Sequence, residues 1–232
     1  MRIIDLSPMV GPEAATWPGD EPFAIAPRWS ITQGDSVTVG TVTTTTHIGA
    51  HIDAPAHIVA GAATVDATPL DACVGACLVV DISDLVDRTT EPHGSAPAVA
   101  VIARIHALRP RTPVQRLLLR HAARSPLGWD PQVPGIDPEL VRWFAAEGGR
   151  LLGIDLASFD PATSTELLAH RAGIAAGVVL LEGLDLSAAP TGEAELIALP
   201  LPWVGADASP VRAILRCADA PQTKTLLTKE PA

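Results

Sequence analysis

The chain has 232 residues, 47% of them hydrophobic and 18% charged, which suits a globular protein with a sizeable core and excludes a disordered one. Its formal net charge of -10 argues against sequence-independent nucleic-acid binding and against docking on an anionic membrane surface, since both need clustered Lys and Arg. Three cysteines, Cys73, Cys77 and Cys217, are too few for a disulfide framework and read as small buried thiols.

Met1 to Pro8 carries Asp5 inside its only apolar stretch, so it is not a signal peptide, and no run approaches the length of a membrane span. The expected compartment is the cytoplasm. Arg2 to Leu6 reads as a short strand. A Pro- and Gly-rich loop follows through Trp17-Pro18-Gly19-Asp20. Trp17 is either folded onto the core or forms an aromatic wall of a pocket. Ser36 to Thr46 is rich in β-branched residues and alternates, which predicts an extended strand.

That strand leads into His47-Ile48-Gly49-Ala50-His51-Ile52-Asp53-Ala54-Pro55-Ala56-His57. Gly49 and Pro55 make this a poor helix, so the motif is expected on a loop or irregular turn at a strand end. Ile48 stands where a zincin helix needs Glu, which removes that reading. Three histidines and an aspartate at this spacing, in a chain with only seven histidines, suit a cation. Imidazole and carboxylate together fit zinc, manganese or iron(II). Three ligands, His47, His51 and Asp53, leave an open position for water, and the metal lowers that water's pKa. His57 is then free to move a proton.

Ala76 to Ile82 reads as a buried strand, residues 84–98 as a loop, Val99 to Leu108 as a helix, and Val114 to Leu119 as a strand. Asp137-Pro138-Glu139 opens a helix that Gly148-Gly149 closes. Arg150 to Leu156 is a strand, and Thr163 to Ala172 a short helix carrying His170, with Ser or Thr to cap it. Val178 to Leu184 is an apolar strand carrying Glu182, a carboxylate whose burial demands a partner, and a metal is a suitable one. Alone, His170 reads more simply as a surface or satisfied histidine. Asp155 and Asp160 read as structural, and His93, His106 and His121 have no assigned role. Glu195 to Leu199 and Val211 to Arg216 complete the strands. Residues 1–218 are expected to form one domain, with a polar tail over 219–232. Strands outnumber helices without strict alternation, which favours a mixed or barrel-like sheet with flanking helices. No phosphate-binding loop or nucleophile elbow appears.

The stretch from His47 to His57 resembles the metal-binding signature of the cyclase-like metal-dependent hydrolases. Within them the chain looks most like the bacterial kynurenine formamidases (arylformamidases). The likeness extends through Trp17-Pro18-Gly19-Asp20, Leu152-Gly153-Ile154-Asp155, Asp160-Pro161, Leu181-Glu182-Gly183 and Ala208-Ser209-Pro210-Val211-Arg212. It implies an α/β swivelling β/β/α fold, a homodimer, and a small aromatic formamide substrate contacted by Trp17. It implies two zinc ions, with manganese compatible. His47, His51 and Asp53 would hold one, and Asp53, His170 and Glu182 the other, with Asp53 and Glu182 bridging. His57 would be the acid/base group. The implied reaction is hydrolysis of N-formyl-L-kynurenine to L-kynurenine and formate; ring-opening of a cyclic amide such as isatin, or a non-catalytic metal-binding role, are the alternatives. Ala50 stands where the signature has threonine, and the segment from about Val86 to Ala103 is longer than usual.

Overall fold

The structure, a computed structural model, describes residues 1–89, 94–110, 113–122 and 129–218. In chain order the strands and helices are β1 (Arg2–Asp5), β2 (Ala24–Trp29), β3 (Val39–Thr43), β4 (His51–Asp53), α1 (Leu70–Cys73), β5 (Val74–Asp81), α2 (Ala98–Leu108), β6 (Arg116–Arg120), α3 (Pro138–Ala146), β7 (Leu151–Ile154), α4 (Leu168–Ala175), β8 (Val179–Glu182), β9 (Gly192–Ile197), β10 (Ala208–Pro210) and β11 (Ile214–Cys217).

Nine strands form one mixed, curled sheet in the order β1-β11-β9-β5-β6-β7-β8-β4-β10. The centre, β5-β6-β7-β8, is parallel because a helix crosses over between each pair: α2, α3, then α4. Every other pairing in the sheet is antiparallel. The central strands are apolar on both faces, as buried parallel strands must be. Leu78, Val80, Leu117, Leu119, Leu152, Ile154 and Leu180 face the helices, meeting Val101, Ile105, Leu140, Val141 and Phe144. Their alternate neighbours Cys77, Val79, Leu118, Leu151 and Leu181 fill the opposite face with Ile4, Ile52, Leu196 and Leu215. The mixed barrel-like sheet with flanking helices is therefore as the composition and strand count predict.

Asp137 caps α3 as predicted, accepting the Glu139 N–H at 2.9 Å, and its second oxygen accepts the Ala98 N–H at 2.9 Å, tying the start of α2 to the start of α3. The cysteines are buried and free, and burial pushes the Cys77 thiol up to about 12.

Several expectations need correction. The stretch from Ser36 to Thr46 is not one long strand. Only Val39–Thr43 is, and it pairs with the unanticipated β2 in a separate two-stranded ribbon exposed on both faces. The His-rich motif is not all loop: His51–Asp53 is strand β4, edged by β10, and only its flanks are irregular. The helix carrying His170 begins at Leu168, not Thr163, and no Ser or Thr caps its first turn. Asp160 does so, accepting the N–H groups of Ala169 and His170 at 3.0 Å each. His93 and the tail over 219–232 lie outside the described residues.

Gly183 shows how tightly the motif is seated. It follows Glu182 with φ +66°, and a Cβ there would lie 2.2 Å from the Gly49 carbonyl oxygen. Gly183→Ala would combine left-handed strain with a backbone collision. We expect it to lower the unfolding free energy of the metal-free protein by at least about 2 kcal/mol in urea titration, and an unchanged midpoint would contradict this packing.

Candidate metal centre

The site is built by register. In β4, Ile52 points into the inner core, so His51 and Asp53 on either side of it project from the opposite face. β4 pairs antiparallel with β8, setting His51 opposite Glu182 and Ile52 opposite Leu181. Glu182 follows Leu181 and so shares the face of His51 and Asp53. A slip of β4 by one residue would turn His51 and Asp53 into the apolar core and away from Glu182. His170, on the first turns of α4, closes the cluster from the helix layer.

The four side chains meet in a buried cluster. His51, Asp53, His170 and Glu182 are each 3–5% exposed. His51 Nε2 is 3.5 Å from Asp53 Oδ1 and 3.3 Å from Glu182 Oε2. His170 Nε2 is 3.4 Å from Asp53 Oδ2 and 3.2 Å from Glu182 Oε1. His47 Nδ1 is 3.1 Å from Asp53 Oδ1. Each carboxylate thus turns one oxygen toward His51 and the other toward His170.

The other nitrogen of each imidazole is held from outside. His51 Nδ1 donates to the Gly49 carbonyl at 2.9 Å. His170 Nδ1 donates to Asp160 Oδ2 at 2.6 Å, so Asp160 both caps α4 and orients its histidine. His47 Nε2 donates to Asp207 Oδ2 at 3.1 Å. Such outside acceptors fix the tautomer so that the inward nitrogen offers a lone pair, the arrangement of metal-binding histidines.

Whether the set fits a cation can be tested on its polar atoms. His51 Nε2 and both oxygens of Asp53 are buried and lack a hydrogen-bond partner. Buried polar groups are rarely left so. Two carboxylates sharing an enclosed space also repel, and a bound cation answers both problems. The ligand atoms of His51, Asp53 and Glu182 lie within 4.8 Å of one another, and so do those of His47, Asp53 and His57. Oxygen and imidazole donors with no thiolate suit zinc or manganese. The donor set fits the group.

Without a cation, the imidazoles themselves supply the positive charge. Burial alone would depress the pKa of His47, but the Asp53 and Asp207 carboxylates beside it outweigh burial and raise it to about 9. Burial opposes His170 likewise, and Asp160, Asp53 and Glu182 raise it to about 12. Burial favours neutral Asp53, yet His170 and His47 hold it well below the usual carboxylate range. A raised histidine pKa stabilises the fold fully below its unfolded value near 6.5, and that contribution is lost as pH rises through the folded pKa. The metal-free protein should therefore lose stability as pH rises from about 6.5 to about 9, the window set by His47. Thermal melts across that range with chelator present check this, and a flat profile would contradict it.

His47, His51, Asp53, His170 and Glu182, picked from the sequence, are thus brought together, with His57 beside them. The His57 ring centroid lies 4.3 Å from that of His47 and 5.8 Å from that of His170. A cavity of about 1210 Å³ opens over the cluster, reached by His47, His51, His57, His170 and Glu182. Trp17 also lines it, in edge contact with Trp129 at 4.6 Å between ring centroids. Ala50 faces the inner core, away from the cluster, and its carbonyl accepts the Val211 N–H at 2.8 Å. Asp155 accepts from the backbone and ring of buried His121 at 2.8 and 2.9 Å.

Sequence reasoning missed Asp207 and the role of Asp160. Asp207 is a lone carboxylate before a three-residue strand, and only the pairing of Ala208 with Asp53 brings it to the cluster. Asp160 gave no local signal either, since it caps α4 from nine residues before Ala169, across a loop.

Residues 4–161 match the family model described as "Putative cyclase". Solved structures share the fold across nearly their whole length. A potential metal-dependent hydrolase with cyclase activity is 24% identical, with 92% of this chain and 96% of that chain covered and a TM-score of 0.74. A predicted metal-dependent hydrolase from Bacillus stearothermophilus is 25% identical, with 92% and 97% covered and a TM-score of 0.72. Isatin hydrolase A from Labrenzia aggregata, bound to benzyl benzoate, is 23% identical, with 92% and 93% covered and a TM-score of 0.74. No helix among the described residues is long and apolar enough to cross a membrane.

Proposed function

The chain belongs to the putative cyclase family, and we propose that it is a metal-dependent hydrolase of an aromatic amide, with N-formyl-L-kynurenine as substrate and L-kynurenine and formate as products. The observation that carries the hydrolase reading is the set of unsatisfied buried atoms on His51 and Asp53, placed at the floor of an aromatic-walled cavity. The choice of N-formyl-L-kynurenine rests on the sequence blocks downstream of the histidine motif.

In this reading His47, His51 and Asp53 would hold one zinc ion. Asp53, His170 and Glu182 would hold a second, since each of the two carboxylates turns one oxygen toward His51 and the other toward His170. When bound, zinc supplies Lewis acidity, polarising a carbonyl and acidifying water. Asp160, Gly49 and Asp207 keep the three imidazoles turned inward. Trp17 and Trp129 hold the substrate ring. Hydrolysis adds hydroxide to the formyl carbon and breaks its bond to nitrogen, and His57 delivers the proton that lets the aniline nitrogen leave. The small formyl group lets a recessed cluster reach the acyl carbon.

The isatin hydrolase among the structural neighbours favours a second reading, ring-opening of a cyclic amide by the same groups. Zinc-loaded protein assayed with N-formyl-L-kynurenine and with isatin separates them. Turnover of the formamide supports the first reading. Turnover of isatin alone overturns it in favour of the second, and turnover of neither favours a metal-binding role without catalysis.

The same reading makes the protein a homodimer. The β2–β3 ribbon exposes Ile25, Trp29, Val39 and Val42. A two-stranded ribbon with no covering layer is marginal in water. Residues 24–46 carry only Arg28 and Asp35 as charges in a chain of net charge -10, so two copies can meet there without repulsion. Light scattering should give about twice 24.1 kDa, and a monomer mass would exclude the arrangement.

A further inference from the structure

Asp207 stands just before β10, and its backbone carbonyl accepts the Ala54 N–H at 2.8 Å. Because Ala208 pairs with Asp53, Asp207 is fixed relative to the strand that carries His51 and Asp53. Its side chain is partly exposed and lines the cavity. Oδ1 accepts from the Thr46 hydroxyl at 2.9 Å. Oδ2 lies 3.1 Å from His47 Nε2 and 3.6 Å from His57 Nδ1.

One carboxylate oxygen therefore faces two imidazoles with different tasks. We propose that Asp207 is a positioning residue for both, holding His47 with Nδ1 toward the metal and aligning His57 to deliver its proton. The approach to His47 is a hydrogen bond, and it selects the tautomer whose Nδ1 is free to bind a cation. The approach to His57 is longer than a hydrogen bond and sets the ring's orientation: Nδ1 faces the carboxylate, which leaves Nε2 for the substrate. The part concerning His47 rests on the metal site alone. The part concerning His57 rests on the hydrolase reading.

The test uses Asp207→Asn and Asp207→Ala in the full chain, with circular dichroism to confirm folding. Zinc affinity is measured by competition with a fluorescent chelator, and kcat and KM at saturating zinc. The expected result is a loss of zinc affinity of about 10- to 100-fold for the alanine variant. The asparagine variant should lose less, since its amide oxygen still accepts from His47. At saturating zinc both should lower kcat while leaving KM nearly unchanged. Combined with His57→Ala, Asp207→Ala should lower kcat no further than His57→Ala alone. A merely structural aspartate would move the melting temperature and none of these. Wild-type zinc affinity in both variants overturns the role toward His47, and an additive fall in the double variant overturns the role toward His57. If zinc affinity falls but wild-type protein turns over no amide, the hydrolase reading has failed and the positioning of His47 stands.

Discussion

Asp53→Asn should empty the metal centre and abolish turnover while leaving the fold intact. Asp53 sits at the middle of the cluster, within 3.1 to 3.5 Å of His47, His51 and His170, and neither of its oxygens has a hydrogen bond to satisfy it. The amide offers one acceptor where the carboxylate offers two, and it removes the negative charge that a divalent cation needs. Losing a partner outside the ligand shell already costs about 10- to 100-fold in affinity or activity. Loss of a shared ligand should exceed that, so the expected fall in activity is more than about 100-fold, with metal content falling in step. Elemental analysis and kinetics on the same preparation measure it. Full metal content with full activity would mean that Asp53 is not a ligand. The metal-free variant should keep its circular dichroism spectrum, because β4 is held by its pairing with β8 and β10, not by the carboxylate.

His57→Ala is the second large effect, and it should differ in kind. His57 follows Pro55 in a single 3-10 turn beyond the strand, and its side chain is more exposed than those of His51 and His170. As the proton carrier, its loss should reduce kcat by about 10²- to 10⁴-fold with metal content unchanged. KM should change little, since the contacts on the substrate ring remain. His47, Asp53 and His57 are close enough to hold a cation among themselves, so the metal measurement decides the matter. If His57→Ala loses metal as Asp53→Asn does, His57 is a ligand and the proton must come from elsewhere.

Much of this site was legible in the sequence because its signals are local. Three histidines and an aspartate within eleven residues cannot be explained by packing, and Glu182 at the end of an apolar strand needed a partner. The strands β5 to β8 announced themselves as apolar runs. What could not be read depends on pairing across the chain. β4 is three residues long and bounded by Gly49 and Pro55, too short for period-two alternation to show. β2 carries Pro27 and is exposed throughout, so it has no buried face to pattern. The start of α4 was misplaced because its cap, Asp160, lies nine residues before Ala169, across a loop. Asp207 was invisible because its importance comes only from the pairing of β10 with β4. The histidine cluster is written in one stretch of chain, and the groups that orient it are written in the fold.

On the proposed reading, a metal held by these residues makes the protein a hydrolase. A chelator titration of the purified protein, following bound zinc and N-formyl-L-kynurenine turnover in the same samples, tests it most directly. The expected result is up to two ions per chain, turnover that falls as they are withdrawn, and recovery when zinc is restored. Undiminished turnover in protein freed of metal would contradict it.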